Sequence, residues 1–324
     1  MRQNGNGQGS SPRIGIIQTF EPGERETYGL GLALEKMGAS WVAIEARFLK
    51  VSVDKLGEPV VLIENDPELD VRCVDDLRLD SIVWRVSEAD YYNYANVFDT
   101  LGEKYPMVND WRCTWICSDK WRTSAKLAAW GVPVVPTVLL TPGMAVPEFP
   151  GFKTVVKPSV GASGRGVRLE LAGSVPAINA PHVAQPLVPG PSCDHIRVIV
   201  CGEEPVTSIH RIPGEEHRGS EIEVNNVAAG GTPARAPMAP VRQIAVDVAH
   251  HLGGDVIGID LVPWNGGFAV LEVNSSPGFN LIDETLGINC FSHAAQQVLR
   301  RMGALGPAAH GSPVDRRSRR LSTT

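Results

Sequence analysis

Residues 255–280 read DVIGIDLVPWNGGFAVLEVNSSPGFN, and no other stretch limits the fold as tightly. Two apolar, largely β-branched runs flank the turn Trp264–Gly267, which predicts a hairpin of buried strands. Each run carries an acid: Asp260 ends the first, while Glu272 and Asn274 lie on the second. A carboxylate inside an apolar strand is costly unless it is paired or bound to a cation. Hairpin pairing brings Asp260 close to Glu272, and period-2 alternation turns Glu272 and Asn274 to one face. All three are hard oxygen donors with no imidazole or thiolate between them, a set suited to Mg²⁺ bridging phosphates. A buried structural ion pair is the competing reading.

A second segment, FKTVVKPSVGASGRGVRLE at 152–170, ends a β-branched strand on Lys157 and continues into Gly161-Ala162-Ser163-Gly164-Arg165-Gly166. Glycine at that density permits positive φ and lets backbone N–H groups face phosphate oxygens, with the lysine as point charge. A plain glycine-rich hairpin loop explains the segment equally well. A third, AQPLVPGPSCDHIRVIVCG at 184–202, reads as a proline-rich linker between two lobes, followed by Asp194 and Arg197.

Elsewhere strands alternate with helices. Strand candidates at 13–18, 41–46, 60–63, 80–86 and 107–109, with helices over 28–37 and 91–104, imply a mostly parallel, doubly wound sheet across about 12–111. A dinucleotide site there needs GxGxxG after the first strand; Gly29-Leu30-Gly31-Leu32-Ala33-Leu34 lacks the third glycine and lies beyond a long loop. Ser118 is the expected N-cap of a helix that Gly131 and Pro133 end. Further strands are expected at 134–139, 153–157, 167–171, 196–200, 205–210, 256–261 and 269–273, with helices near 240–252 and 288–302.

Composition excludes other classes. Glycine and proline, 33 and 25 of 324 residues, exceed the background of about 12% but fall short of a disordered chain. The tail 307–324 sets Arg316, Arg317, Arg319 and Arg320 against Asp315, a surplus of +3 in a chain of net charge −6, so the body is −9. That argues against a broad nucleic-acid footprint. Cys73, Cys113, Cys117, Cys193, Cys201 and Cys290 form no zinc pattern and read as reduced thiols. Residues 1–11 are polar, and no apolar run approaches the roughly 18 residues of a membrane span. A cytoplasmic location, without membrane or nucleic-acid partners, is the resulting expectation. His250 and His251 read as helix surface or core, and Tyr91, Tyr92 and Tyr94 as helix packing.

Taken in order, the pieces resemble the ATP-grasp superfamily, and within it the RimK-like and glutathione-synthetase-like carboxylate–amine ligases. The resemblance spans about 112–302. It rests on Asp119-Lys120 opening a helix, VVKPSVGASGRGV, the linker with Asp194 and Arg197, NNVAAGG at 225–231, and Asp260…Glu272-x-Asn274-SSPGF. The fold it implies is α/β, with α+β character in the ATP-grasp lobes. A disordered N-terminus (1–11) precedes a pre-ATP-grasp domain (12–111), a first lobe (112–185), a second lobe with the metal site (186–305) and a disordered basic tail (306–324).

The resemblance also assigns roles. Lys120 and Lys157 would contact ATP phosphates under a lid of Gly161, Ala162, Ser163, Gly164 and Gly166. Gln185, Pro186 and Leu187 would offer backbone hydrogen bonds to adenine, Asp194 would take the ribose hydroxyls, and Asn226 belongs to the ATP-binding set. Asp260, Glu272 and Asn274 would hold two Mg²⁺ (or Mn²⁺). Arg197 and Arg211 would face the γ-phosphate and the acyl-phosphate. Val224 stands where relatives carry arginine, with Arg218 as a substitute, and His195 looks inserted before Ile196. The implied activity joins a carboxylate to an amine, at least one of them amino-acid-like, with release of ADP and phosphate. An ATP-grasp phosphotransferase and a non-catalytic nucleotide-binding protein are the alternatives. A homodimer or homotetramer is the implied assembly.

Overall fold

A computed structural model describes residues 11–19, 23–162, 164–188, 195–212, 215 and 231–303. The first β-branched run is β1 (Arg13–Gln18), followed by α1 (Gly23–Lys36), β2 (Ser40–Glu45), β3 (Leu49–Val53), β4 (Pro59–Ile63), β5 (Ser81–Arg85), α2 (Tyr91–Gly102) and β6 (Met107–Val108). Four of these strands form a parallel sheet in the order β2-β1-β5-β6, while β3 and β4 pair as a separate antiparallel ribbon. The parallel sheet is buried on both faces, as a doubly wound arrangement requires. Ile14, Ile16 and Val83 join a core with Leu30 and Leu34 of α1, whereas Ile17, Ile82 and Trp84 pack with Val97, Phe98 and Leu101 of α2. Gly31 of the incomplete GxGxxG string lies inside α1, where a side chain would collide with the Trp41 ring. Its role is close packing.

Next come α3 (Trp111–Cys117) and α4 (Lys120–Ala129). The expected N-cap is corrected here. Asp119, not Ser118, caps α4 by accepting from the Arg122 N–H at 3.0 Å, while Ser118 closes α3 and its hydroxyl donates to the Trp115 carbonyl. Gly131 ends α4 with φ of +79°. The single strand expected over 134–139 is divided by Pro136. Val134 bridges Val270, and the chain then crosses to become β7 (Val138–Leu140) in another sheet.

That sheet is antiparallel, ordered β7-β10-β8-β9, with β8 (Thr154–Pro158), β9 (Arg168–Glu170) and β10 (His182–Pro186). A third, antiparallel sheet runs β13-β12-β11-β14-β15, from β11 (Ile196–Cys201), β12 (Glu204–Ile212), β13 (Thr232–Arg235), β14 (Val256–Trp264) and β15 (Gly267–Asn274). One face of it packs under α5 (Arg242–Leu252) through Val198, Val200, Ile257 and Ile259. From the other face Ile199 and Cys201 enter the core shared with α1 and α7 (Cys290–Arg301). A short helix, α6 (Asn280–Leu286), follows the SSPGF turn. Cys73, Cys113, Cys117, Cys201 and Cys290 are free thiols. His251 stacks on Trp130 with ring centroids 5.2 Å apart. Among the described residues no helix is long and apolar enough to cross a membrane.

Candidate active site

Asp260 sits mid-sheet on β14, directly opposite Arg197 of β11 on one side and Glu272 of β15 on the other. A β-bulge creates the second pairing. From the turn, Trp264 faces Gly267 and the ladder runs regularly to Leu261 opposite Val270; continued unbroken, it would set Leu271 opposite Asp260. The register shifts between Asp260 and Leu261, so β15 contributes one extra residue and Glu272 shares a face with Asp260. Asn274 follows on that face, opposite Gly258.

Two arginines reach the Asp260 carboxylate through three hydrogen bonds, leaving acceptor capacity on Oδ1. Arg197 grips it bidentately, Nε to Oδ1 and Nη2 to Oδ2, both at 2.7 Å. Arg211 of β12 adds Nη1 to Oδ2 at 3.0 Å. Burial would push the Asp260 pKa up, but the two guanidiniums override it and hold the carboxyl below the usual range. The arginines are not equivalent. Burial disfavours the cation at both; the Asp260 contacts reverse this at Arg197, whereas at Arg211 the neighbouring Arg197 adds repulsion and the pKa stays lowered. Arg211 is the weaker-held partner.

From the facing sheet comes Lys157 on β8, opposite Val183 and 7% exposed. Burial lowers its pKa to about 8, against the opposing pull of Glu272 and Asp260 and with help from Lys120. Those mutual influences place Lys157, Lys120, Glu272 and Asp260 in one electrostatic neighbourhood. Lys120 opens α4, and its Nζ donates to the Gly161 carbonyl at 2.5 Å. Its backbone N–H donates to Ser159 O, whose hydroxyl in turn donates to the Asp119 cap at 2.7 Å. The start of α4 is thus tied to the strand that feeds the glycine loop. That loop is the β8–β9 hairpin connection, with Gly164 and Gly166 at φ of +71° and +73°. A side chain on Gly166 would also press on the Pro158 ring.

The segment expected to meet adenine begins on a strand. Gln185 and Pro186 are residues of β10 rather than of a linker, and the strand runs one residue past the expected lobe boundary. The Leu187 N–H already donates to the Lys153 carbonyl at 2.7 Å, and the Gln185 carboxamide donates to Thr137 Oγ1 at 2.9 Å. Alternation along β10 then turns the Pro186 carbonyl away from β8, toward the edge that β7 no longer covers. Ser163, Asp194 and Asn226 lie outside the described residues, as do Arg218 and Val224.

Among the described residues no three His, Cys, Asp or Glu side chains converge on a metal position, because the third expected donor is a carboxamide. The donor set nevertheless fits a hard cation. Asn274 Nδ2 is buried without a hydrogen-bond partner among the described residues. A half-turn of the carboxamide puts its oxygen at that spot, on the sheet face that carries Asp260 and Glu272.

The parallel-sheet unit holds this site through Glu26 and through Arg85 and Glu88, from the stretches 20–28 and 85–94 expected to line the acceptor pocket, and through Asn109, which sequence reasoning missed. None sits in a motif. Only the fold brings them to the turn after Asn274.

An antiparallel sheet carrying Lys157, with Lys120 on the helix beside it, and a second antiparallel sheet carrying Asp260 and Glu272 make up an ATP-grasp arrangement. The family model for the RimK-like ATP-grasp domain matches residues 117–300, more than half of the chain. The chain belongs to the RimK-like ATP-grasp family. It is 28% identical over 199 residues to a probable alpha-L-glutamate ligase of Pasteurella multocida, covering 58% of this chain and 62% of that protein. It is 32% identical over 227 residues to the ribosomal protein bS6–L-glutamate ligase of Shigella flexneri, covering 65% of this chain and 73% of that one. The chain spans about three fifths of the length of the probable alpha-L-glutamate ligases it matches. In fold it resembles a D-cycloserine synthetase, with TM-score 0.64, 19% identity, and coverage of 90% and 99% of the two chains. A D-alanine–D-alanine ligase of Bacillus anthracis gives TM-score 0.59 at 16% identity, covering 91% and 98%.

Proposed function

We propose that this protein is an ATP-dependent ligase that joins a carboxylate to an amine through an acyl-phosphate, releasing ADP and phosphate. The observation that carries this reading is the bulged register that puts Asp260 and Glu272 on one face, opposite the buried Lys157. Its membership of the RimK-like ATP-grasp family supports it. A carboxylate and an amine do not condense at neutral pH; phosphorylating the carboxylate supplies a leaving group.

That transfer requires charge neutralisation and alignment rather than a protein nucleophile. Lys157 and Lys120 supply positive charge from one side, Arg197 and Arg211 from the other. The Gly161–Gly166 loop lies over the same centre and excludes water when substrates fill it. The Pro186 carbonyl would offer the base-binding edge, since Leu187 has spent its own N–H on Lys153. Asp260, Glu272 and Asn274 would hold Mg²⁺, which offsets phosphate charge when bound. The protein then only has to keep the amine beside the activated carboxyl, an effective-molarity gain. We also place the functional units at 12–111, 112–185 and 186–305.

The substrates are small carboxylates and amines or peptide ends. L-Glutamate is the first amine to test, because the relatives named above are glutamate ligases. Incubating the protein with ATP, Mg²⁺, glutamate and pooled amino acids, acids and peptides should give ADP, phosphate and a condensed mass. Glu272→Ala should lower the rate at least about 100-fold. AMP and pyrophosphate would contradict the acyl-phosphate route; ADP with a phosphorylated, uncondensed product would mark a phosphotransferase.

A further inference from the structure

The turn that follows Asn274 is held by another part of the chain. Ser275 O accepts from Asn109 Nδ2 at 2.7 Å, the Ser276 hydroxyl donates to Trp84 O at 3.1 Å, and Pro277 O accepts from Arg85 Nη2 at 2.9 Å. Phe279 and Asn280 give their N–H groups to Glu26 at 2.8 and 3.0 Å. Closest to the metal-holding strand is Glu88, from the loop between β5 and α2. A single oxygen, Oε1, accepts from Ser275 N at 2.8 Å, Ser275 Oγ at 3.2 Å and Ser276 N at 3.2 Å. Its charge is also felt at Arg197, the bidentate partner of Asp260. Every one of these partners belongs to the parallel-sheet unit or its exit, more than 160 residues away in sequence.

A strand end fixed by its own sheet needs no such help. Asn274 is the last residue of β15, and beyond Gly258 it has no ladder partner to continue the register. Its placement therefore depends on where Ser275 is held. We propose that Glu88 is a positioning residue: by gathering the first two N–H groups after β15, it sets the depth of Asn274 and Glu272 and so the metal affinity of the site. This rests on the reading of Asp260, Glu272 and Asn274 as the metal-holding set.

Free Mn²⁺ measured by its electron paramagnetic resonance signal, in the presence of a non-hydrolysable ATP analogue, tests this without turnover. Glu88→Ala should weaken Mn²⁺ binding about tenfold, the low end for an outer-shell partner, with unfolding midpoint and circular dichroism unchanged. Glu88→Gln keeps an acceptor at the same reach and should stay within about twofold of wild type; Glu88→Asp keeps the charge, loses the reach and should behave like alanine. In turnover, the rate should fall at limiting metal and recover as metal is raised, with KM for ATP at saturating metal unchanged. Mn²⁺ binding unchanged in Glu88→Ala overturns the proposal, as does Glu88→Gln binding no better than Glu88→Asp, the pair that decides if the alanine variant does not fold. Wild-type protein that takes up no Mn²⁺ overturns the metal-site reading itself, and the role of Glu88 with it.

Discussion

Lys157 is the residue whose chemistry the fold has changed most. Burial holds its pKa near 8 against an ordinary 10.5, so this lysine titrates within reach of neutral pH. A phosphate chain held beside it, as proposed above, would favour the cation, and binding above pH 8 would then recruit a proton. The sign follows directly. ATP affinity is full below pH 8 and falls as pH rises through it, by about tenfold between pH 7 and 9 for one group of this pKa. Calorimetry in buffers of different ionisation enthalpy should register the proton uptake, and Lys157→Arg should abolish both uptake and slope. The same shift acts on folding with the opposite trend. The unfolded chain binds the extra proton between pH 8 and 10.5, so this lysine's penalty on stability shrinks as pH climbs across that window. Asp260 differs because its charge is already answered. Cutting Arg197 to alanine leaves a buried carboxylate with only Arg211, and breaking such a pair costs roughly 3–5 kcal/mol. Arg197→Ala should therefore lower stability by several times more than Arg211→Ala in urea titrations, since Arg211 makes one contact where Arg197 makes two.

Between residue and molecule, the elements show where the sequence was legible. The acid-bearing hairpin could be read because its β-branched runs and turn residues agree. So could the parallel sheet, the glycine loop and most later strands. The bulge was missed, yet arithmetic could have found it: Asp260 lies four residues before Trp264, and Glu272 five after Gly267, so they face each other only if one residue is left over. No local rule could have found the cap at Asp119, because Ser118 is an equally good candidate until Ser159 is seen donating to Asp119. Pro136 did warn that 134–139 could not be one strand; the two halves were unreadable because they join different sheets. The cap has a consequence that can be measured. Asp119→Ala removes the Arg122 N–H partner and the Ser159 tie together, and should cost about 1–2 kcal/mol in denaturant unfolding. Asp119→Asn retains the cap and should recover most of it. Because Lys120 hangs from that cap onto Gly161, limited proteolysis within 161–166 should be faster in the alanine variant at equal global stability.

At the scale of the whole chain, the parallel sheet and the ATP-grasp sheets share one core. Ile14, Leu30, Leu34 and Val83 meet Ile199, Val256, Phe279 and Val298 in a single apolar cluster. A fully buried polar link crosses that cluster. Asn109, 2% exposed, donates from Nδ2 to Val256 O and Ser275 O, both at 2.7 Å, and accepts from Val256 N at 2.8 Å. It closes the ends of β14 and β15 at the seam with β6. Removing it strands a buried N–H and two carbonyls, and each unsatisfied group costs about 1–3 kcal/mol unless water enters. Asn109→Ala should therefore lose at least about 2 kcal/mol. What decides the architecture is the form of that loss. Cores shared across a seam unfold together, so tryptophan fluorescence and far-ultraviolet circular dichroism should report coincident transitions in wild type and variant alike, the variant's moved to lower urea. Trp84 reports from the parallel sheet and Trp264 from the hairpin, so each side has its own probe. Two separated transitions in the wild type would mean that the units fold independently. The reach of Glu88 into the turn after β15 would then be a contact between two bodies that can part, rather than a fixed feature of one.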